Sequence, residues 1–292
     1  MLKKILLSIF LINVLSADLQ ESYTEILTSL EQKNWKNVID KSNLFLKDYK
    51  KSIFSEELYY YLGISNYHLN NLEKANINLS KYLTKKFSPK YYQEAFSYKF
   101  KIAKRYYKKD KKHLFGWKIM PKIISCNDDA LKIFDEIIFA LPYSELALKS
   151  FFYKGLLLFK IKEYDESINS FQELITKFPK SNYALESFLK ISKIYLKKAD
   201  PKHLDPNILS LANINLKKME QAFPKEERLN VIRKDIQKIK EIFSKALFEI
   251  GNFYERTKKL DACKIYYKKI INTFPDTKTA KLAKRKLSKL KK

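Results

Sequence analysis

Two segments of the chain repeat the same spacing of helix-disrupting residues. Gly155 and Pro179 stand 24 positions apart, and the pair in segment 251–275 has the same separation. Residues at matching positions inside the two segments are also similar in size. Ser167 and Cys263 are both small, and Phe171 and Tyr267 are both large and aromatic. A repeated unit is the simplest origin of such a match.

Helical hairpins explain this spacing physically. Two amphipathic helices need a small residue where their backbones approach and a large one to fill the gap between turns. Gly155 and Ser167 meet the first need, and Phe171 meets the second. Proline ends the second helix because it has no N–H and restricts the residue before it. The pattern is typical of tetratricopeptide repeats (TPR).

A second motif, P-x-[ST]-x-x-A, predicts where helices begin. It occurs three times in register: at Pro142-Ser144-Ala147, Pro179-Ser181-Ala184 and Pro275-Thr277-Ala280. A generic helical bundle, the alternative, has no reason to repeat its helix breakers in register. The sequence therefore predicts an all-α fold, a TPR-like superhelix of about six antiparallel helix hairpins plus a C-terminal helix, with essentially no β-strand.

The order of these signals divides the chain into three parts. Residues 1–17 have the features of a signal peptide, with Lys3 and Lys4 before an apolar run over 5–15. This predicts export and cleavage near Ser16 or Ala17, and no lipoprotein cysteine follows. TPR-like repeats are predicted over 18–142 and again over 143–292.

An apolar insertion loop is predicted at about 110–126, within the first set of repeats. It contains Phe115 and Trp117, although a connecting loop is usually polar. One interpretation makes these two residues a partner contact, and the other folds the loop over a hydrophobic groove. The segment 127–129 that follows, Asn-Asp-Asp, is predicted to cap the next helix.

Charge and cysteine content leave two questions open. The formal net charge is +26, but only five arginines contribute to it. Lysine dominance favours a solvated surface over a polyanion site, because arginine is better suited to bidentate phosphate contacts. Cys126 and Cys263 lie in different repeats, which favours buried reduced thiols over a disulfide.

No catalytic constellation is apparent. The three histidines lie in separate units without metal-ligand spacing, and no glycine-rich phosphate loop is present. Asp200, His203 and Asp205 are more simply explained by a proline-rich polar turn. We expect a non-catalytic protein with no cofactor, no metal and no small-molecule substrate.

Stacked hairpins line a concave surface with their first helices. Positions three before and four after the repeat glycine are predicted to face it: Tyr60 and Tyr67, Phe152 and Phe159, Phe248 and Glu255. Arg256 adjoins the last of these and is a second predicted partner contact. The first four predict a groove for an extended, apolar or aromatic-bearing peptide. Alternatively, the rings pack against the next hairpin and contact no ligand.

Two segments resemble the BamD (YfiO) family of periplasmic TPR proteins. Residues 197–224 carry a widened turn with Asp-Pro before the second helix, and residues 246–287 carry F-Y-E-R and F-P-D-T. The resemblance covers about 147–292. It implies a periplasmic scaffold, peripheral to the outer membrane, that binds unfolded β-barrel substrates and a BamA-like outer-membrane subunit.

Two departures and two alternatives accompany this resemblance. The family's lipid-bearing cysteine is absent, and one helix follows Pro275 where the family has a further hairpin. One alternative is a CpoB-like, Tol-associated periplasmic adaptor, although residues 19–50 show no sustained heptads. The other is a lysine-rich polyanion binder of lipopolysaccharide or nucleic acid, of which nucleic acid is not expected.

Overall fold

The computed structural model describes residues 18–84, 89–108, 111–113 and 122–290. These residues form helices joined mainly as antiparallel hairpins. They fall into two compact units, with the boundary between Pro142 and Tyr143. Each unit is described separately below.

Unit 1 contains three hairpins. Its helices are α1 (18–31), α2 (Trp35–Asp48), α3 (Ser55–His68), α4 (Leu72–Thr84), α5 (Tyr92–Lys108) and α6 (Asn127–Ala140). Helices α3 and α4 pack against each other along their lengths, as do α5 and α6.

The segment between α5 and α6 differs from the predicted loop. Strands β1 (Lys111–His113) and β2 (Lys122–Ser125) pair antiparallel. This short pair of strands is a local departure from the helical pattern, where β-branched isoleucines at 123 and 124 favour extended backbone. Phe115 and Trp117 lie outside the described residues, so their predicted partner contact stays a prediction.

Unit 2 contains three further hairpins and a closing helix. Its helices are α7 (Glu145–Lys160), α8 (Tyr164–Lys177), α9 (Asn182–Lys198), α10 (Pro206–Ala222), α11 (Leu229–Arg256), α12 (Leu260–Thr273) and α13 (Lys278–Lys289). The pairs α7–α8, α9–α10 and α11–α12 form the hairpins, and α13 packs on α12 and α11. The predicted all-α array of six hairpins and a C-terminal helix is confirmed.

The predicted cap motif begins a helix at each of its three sites. The hydroxyls of Ser144, Ser181 and Thr277 accept hydrogen bonds from the backbone N–H groups of Ala147, Ala184 and Ala280, at 3.0, 3.0 and 3.1 Å. Each bond satisfies an N–H that the first helical turn leaves without a partner.

Two other helix starts give contrasting results. The widened turn before α10 ends at Asp205, whose carboxylate accepts from the backbone N–H of Asn207 at 2.9 Å, and Pro206 takes the first helical position. The predicted cap of α6 was wrong: Asn127 is already helical, and Cys126 before it makes no side-chain cap.

The fourth residue of the second helix is completely buried in five of the six described hairpins: Val38, Ala75, Ala130, Ser167 and Cys263. In α10 the completely buried residue is Ala212, three positions later. In the α7–α8 hairpin, the Ser167 hydroxyl donates to the carbonyl of Gly155 at 2.7 Å. The two backbones therefore approach closely at this position.

Glycine in the first helix is required by the side chain that it faces. A Cβ atom built on Gly63, Gly155 or Gly251 would lie 2.6–2.7 Å from a side-chain atom of the second helix. The facing residues come 16 positions later in each case: Leu79, Phe171 and Tyr267. Separations this short force the facing side chain to move, in interiors that are already close-packed.

Polar contacts repeat in the same register. The Ser170 hydroxyl donates to the carbonyl of Phe151 at 2.9 Å, and the Asn215 amide donates to the carbonyl of Phe188 at 3.0 Å. Each bond joins the first and second helices of one hairpin, and the two bonds lie at equivalent positions in two consecutive hairpins. Buried polar groups cost free energy unless they are paired, so the matching bonds help to fix the register.

Lys99 is a buried cation in the interior of unit 1. Its Nζ lies 3.0 Å from Asn76 Oδ1, 2.6 Å from Ser80 Oγ and 2.7 Å from a carboxylate oxygen of Glu136. Burial lowers the pKa of Lys99, and the bond to Glu136 opposes that shift. The contacts join α5 to both α4 and α6.

Neither cysteine forms a disulfide. Cys126 and Cys263 are both buried and free. Burial raises the pKa of the Cys263 thiol, which favours its protonated and unreactive form. The prediction of buried reduced thiols is confirmed.

Candidate functional site

The first helices of the hairpins in unit 2 form a continuous surface. Helix α7 contacts α9, α9 contacts α11, and α11 contacts α13. Two concavities open on this surface, one between α7 and α9 and the other between α11 and α13. We call this surface the unit 2 groove.

The concavity between α7 and α9 measures about 360 Å³ and has an aromatic wall. Its lining residues are Phe152, Leu156, Asn182, Tyr183, Glu186 and Lys190. The half-buried ring of Phe152 meets Tyr183 edge-on at 5.0 Å and Phe171 at 5.8 Å, measured between ring centroids. Because two neighbouring rings hold it, little side-chain entropy remains to be lost on binding.

Phe159 lies further along α7, outside this concavity. Its half-buried ring packs against Tyr164 at 5.9 Å, across the turn of its own hairpin. Sequence reasoning missed Tyr183, because α9 contains no glycine from which the groove positions could be counted.

The concavity between α11 and α13 measures about 520 Å³ and is polar. Its lining residues are Glu249, Asn252, Glu255, Arg256 and Lys286. Arg256 is exposed, and Phe248 instead packs against the ring of Tyr267 at 5.4 Å. Glu255 and Arg256, both named by the sequence analysis, therefore line the same concavity.

Glu255 is the electrostatic centre of this polar end. Lys286 Nζ lies 2.6 Å from Glu255 Oε2, and this bond is the main cause of a lowered pKa at Glu255. The hydroxyl of Tyr267 lies 2.9 Å from the same oxygen and 2.8 Å from Asn252 Oδ1. Buried Tyr267 thus supports the carboxylate from below.

In unit 1 the two predicted groove tyrosines have different environments. Tyr60 is only 8% exposed and stacks on Tyr91 at 4.5 Å, and burial raises the pKa of its hydroxyl. It packs against the next hairpin, which is the alternative that the sequence left open. Tyr67 is half-buried and meets Tyr98 edge-on at 5.3 Å, so part of its ring remains accessible.

A tyrosine cluster near Tyr60 was not predicted from the sequence. The hydroxyls of Tyr23 and Tyr61 donate to Glu57 Oε2 at 2.8 and 3.1 Å. Burial raises the pKa of Tyr23 to about 12, so the phenol stays protonated at neutral pH. The cluster joins α1 to α3 and is structural in character.

A second aromatic group in unit 1 is open to solvent. The exposed ring of His68 stacks on Trp35 at 4.2 Å with an interplanar angle of 6°, and Tyr67 and Tyr98 meet His68 edge-on. Burial and the nearby charges of Lys101 and Lys33 lower the pKa of His68, which favours a neutral ring. Sequence spacing gave no signal for this group, because Trp35 follows one hairpin turn and His68 precedes the next.

Other kinds of site find little support in the described residues. They contain no group of three or more His, Cys, Asp or Glu side chains arranged to hold a metal ion. His203 and Asp200 instead form a 3.1 Å contact in the exposed turn before α10. No helix within these residues combines the length and the apolar character needed to cross a bilayer.

Comparison with known proteins agrees with the repeat assignment. A tetratricopeptide repeat family model matches residues 149–181 and 245–277. These segments contain Gly155 and Gly251 with the second helices that they face. The matched segments and the observed hairpins together define an all-α fold built from TPR-like helical hairpins. No curated protein sequence matches the chain.

Several solved TPR structures are similar to this chain at low sequence identity. A tetratricopeptide repeat protein from Parabacteroides merdae is 11% identical with a TM-score of 0.40, covering 94% of this chain and 99% of that one. A thermophilic TPR protein from Thermus thermophilus is 13% identical with a TM-score of 0.33, covering 75% and 98%. The TPR2AB domain of yeast Sti1, solved as a complex with pHSP90, is 13% identical with a TM-score of 0.32, covering 76% and 85%.

The polar end of the groove yields a pH-dependent prediction. A lowered carboxyl pKa stabilises the fold above the unfolded-state pKa, and this stabilisation is lost as pH falls through the folded-state value. We therefore expect Lys286→Gln to lower the free energy of unfolding by up to about 1 kcal/mol at neutral pH. The loss should shrink in acid, as the pH falls below the usual carboxyl range and Glu255 takes up a proton.

Urea denaturation of both proteins at the two pH values measures this difference. Lys264→Gln is the matched control, because its partner Asp261 is 98% exposed and the pair should contribute little at either pH. A loss for Lys286→Gln that is as large in acid as at neutral pH would contradict the role given to Glu255.

Proposed function

We propose that this chain is a non-catalytic scaffold that binds an extended segment of a protein partner in the unit 2 groove. The observation that carries the proposal is the wall formed by Phe152 and Tyr183, whose rings meet edge-on while part of each remains open to the concavity. Rigid aromatic side chains provide large contact area at small entropic cost, which is why they dominate binding surfaces. The polar end at Glu255 and Arg256 supplies hydrogen-bonding groups for the same segment.

We further propose a BamD-like role in outer-membrane protein assembly. The partner would be an unfolded β-barrel protein, a BamA-like outer-membrane subunit, or both. Support comes from features that the BamD resemblance singled out, namely the Asp205-capped wide turn before α10 and the F-Y-E-R motif, which ends the 28-residue helix α11. A CpoB-like adaptor is the competing assignment, and its partner would be a Tol protein.

The proposed location is the periplasm, in association with the outer membrane. It rests on the leader pattern over 1–17 and on the BamD resemblance. The intact mass of protein recovered from the cell envelope tests it, with an expected N-terminus near Asp18. A mass that includes Met1 would favour an uncleaved N-terminal anchor.

The groove is tested with a peptide from the terminal strand of a β-barrel protein. We expect Phe152→Ala combined with Tyr183→Ala to weaken binding about tenfold or more, because truncating a well-packed aromatic typically removes ~1–2 kcal/mol or more of binding free energy. Fluorescence titration of a labelled peptide at two salt concentrations measures the effect. Affinity for the unaltered protein should change little with salt.

Phe139→Ala combined with Tyr143→Ala is the matched control. These two rings are 91% and 79% exposed, neither lines the unit 2 groove, and the control removes one phenylalanine and one tyrosine as well. Equal losses in the two variants would overturn the groove assignment. Binding that ignores both changes but collapses as salt rises would place the site on the lysine surface instead.

A further inference from the structure

Positive charge is concentrated near the C-terminus. Residues 258–292 contain twelve lysines and one arginine against two aspartates, which gives a net charge of +11. This short segment carries more than two-fifths of the net charge of +26. The charge is therefore segregated rather than spread evenly over the chain.

Helix α13 presents this charge on one face. Its buried residues Thr279, Ala280 and Ala283 pack toward α11 and α12. The opposite arc, about 160° wide at 100° per residue, is exposed and contains no acidic residue: Lys278, Lys281, Leu282, Lys284, Arg285, Ser288 and Lys289. We call this arc the α13 face. Within the described part of the chain, no ion pair joins its cations to a carboxylate.

Comparison with α7 shows how unusual this face is for a repeat helix. Aligning the caps Ser144 and Thr277 places Lys284 where α7 has Phe151 and Ser288 where α7 has Gly155. In α7 these positions are buried, and Gly155 receives Phe171 of α8. In α13 both are exposed. The side that accepts a second helix in an internal hairpin is thus a cationic surface here.

We propose that the α13 face docks the protein on an anionic phospholipid surface. A lysine near such a surface is attracted mainly as a point charge, without bidentate geometry, and the attraction falls off within a Debye length. Leu282 lies within the arc and is 48% exposed, so it can reach the interfacial region between the lysines. The long lysine stems can lie along the same boundary with their ammonium groups at the phosphates.

The composition of the α13 face favours lipid over nucleic acid. Single-stranded nucleic acid sites combine cations with aromatic rings on which bases stack. The α13 face has no aromatic residue and a single arginine, which is the residue best suited to bidentate phosphate contacts. Because the inference rests on the proposed envelope location, it deepens the proposed function. It would supply electrostatic attachment to the membrane surface.

Co-sedimentation with vesicles of phosphatidylglycerol and phosphatidylethanolamine tests this proposal. The variants are Lys281→Gln, Lys284→Gln and Arg285→Gln combined, and a control with Lys217→Gln, Lys218→Gln and Lys225→Gln combined. The control residues are exposed at and just after the end of α10, and the two changes of charge are equal. The unaltered protein and both variants carry the same apolar segment 5–15. Vesicles of phosphatidylcholine, which has no net charge, measure how much that segment contributes to vesicle binding.

We expect the α13 variant to bind anionic vesicles about a hundredfold more weakly at low salt, from roughly fivefold per basic residue at the surface. The control should retain most of the binding, and both variants should keep the helical content and melting temperature of the unaltered protein. Equal losses in the two variants would overturn the proposal. The proposal would also be overturned if the unaltered protein did not bind anionic vesicles but bound an oligonucleotide tightly, and if the α13 substitutions abolished that oligonucleotide binding.

Peptide titration keeps this result separate from the groove proposal. The α13 substitutions lie outside both concavities of the unit 2 groove and should leave peptide affinity unchanged. Loss of vesicle binding with normal peptide binding supports the α13 face. If the unaltered protein binds anionic vesicles as expected but does not bind the peptide, the groove proposal is overturned and the α13 proposal is not.

Discussion

Each hairpin with a glycine in its first helix depends on a single close approach between two helices. In the α7–α8 hairpin, Gly155 brings the backbone of α7 against the ring of Phe171, and Ser167 bonds to the glycine carbonyl from the other side. The absence of a side chain on one helix and the presence of a ring on the other are complementary. Steric fit of this kind fixes the relative position of the two helices more narrowly than general hydrophobic burial does.

This fit also determines what the inner surface can present. Phe171 of α8 fills the space beneath Gly155, and its ring also contacts Phe152, which lies one turn before Gly155 on α7. Tyr183 of the next hairpin meets the Phe152 ring edge-on. At the other end of unit 2, Tyr267 occupies the space beneath Gly251 and hydrogen-bonds to Glu255. The residue that fills the interior of a hairpin thus also positions a side chain of the groove.

The repeat register could be predicted from the sequence because breakers and caps act locally. Proline and the capping hydroxyl of Ser144 mark helix ends, and glycine marks a close contact between two helices. Each acts through its own local chemistry, whatever residues lie nearby. Contacts between hairpins have no such signal. The burial of Tyr60 depends on Tyr91, and the stack of His68 on Trp35 depends on two separate turns. Spacing within one repeat contains no information on either contact.

The sequence is similarly limited in predicting which charged residues are available to a partner. Composition gave the net charge and its lysine bias, but only the structure separates the α13 face from cations that are already neutralised. Lys99 is buried with three partners, and Lys286 is paired with Glu255, whereas Lys281 and Lys284 are exposed. A lysine count treats all four alike. Burial and pairing decide which of them can attract an anionic partner.

A double-mutant cycle at Gly155 and Phe171 tests the close approach most directly. We expect Gly155→Ala to destabilise the otherwise unaltered protein, because its Cβ would lie 2.7 Å from the Phe171 ring. In a Phe171→Ala background, which removes the facing side chain, the same change should stabilise the protein, since alanine is the better helix former. Urea denaturation should give a coupling energy of about 1–3 kcal/mol. Equal effects of Gly155→Ala in the two backgrounds would contradict the account.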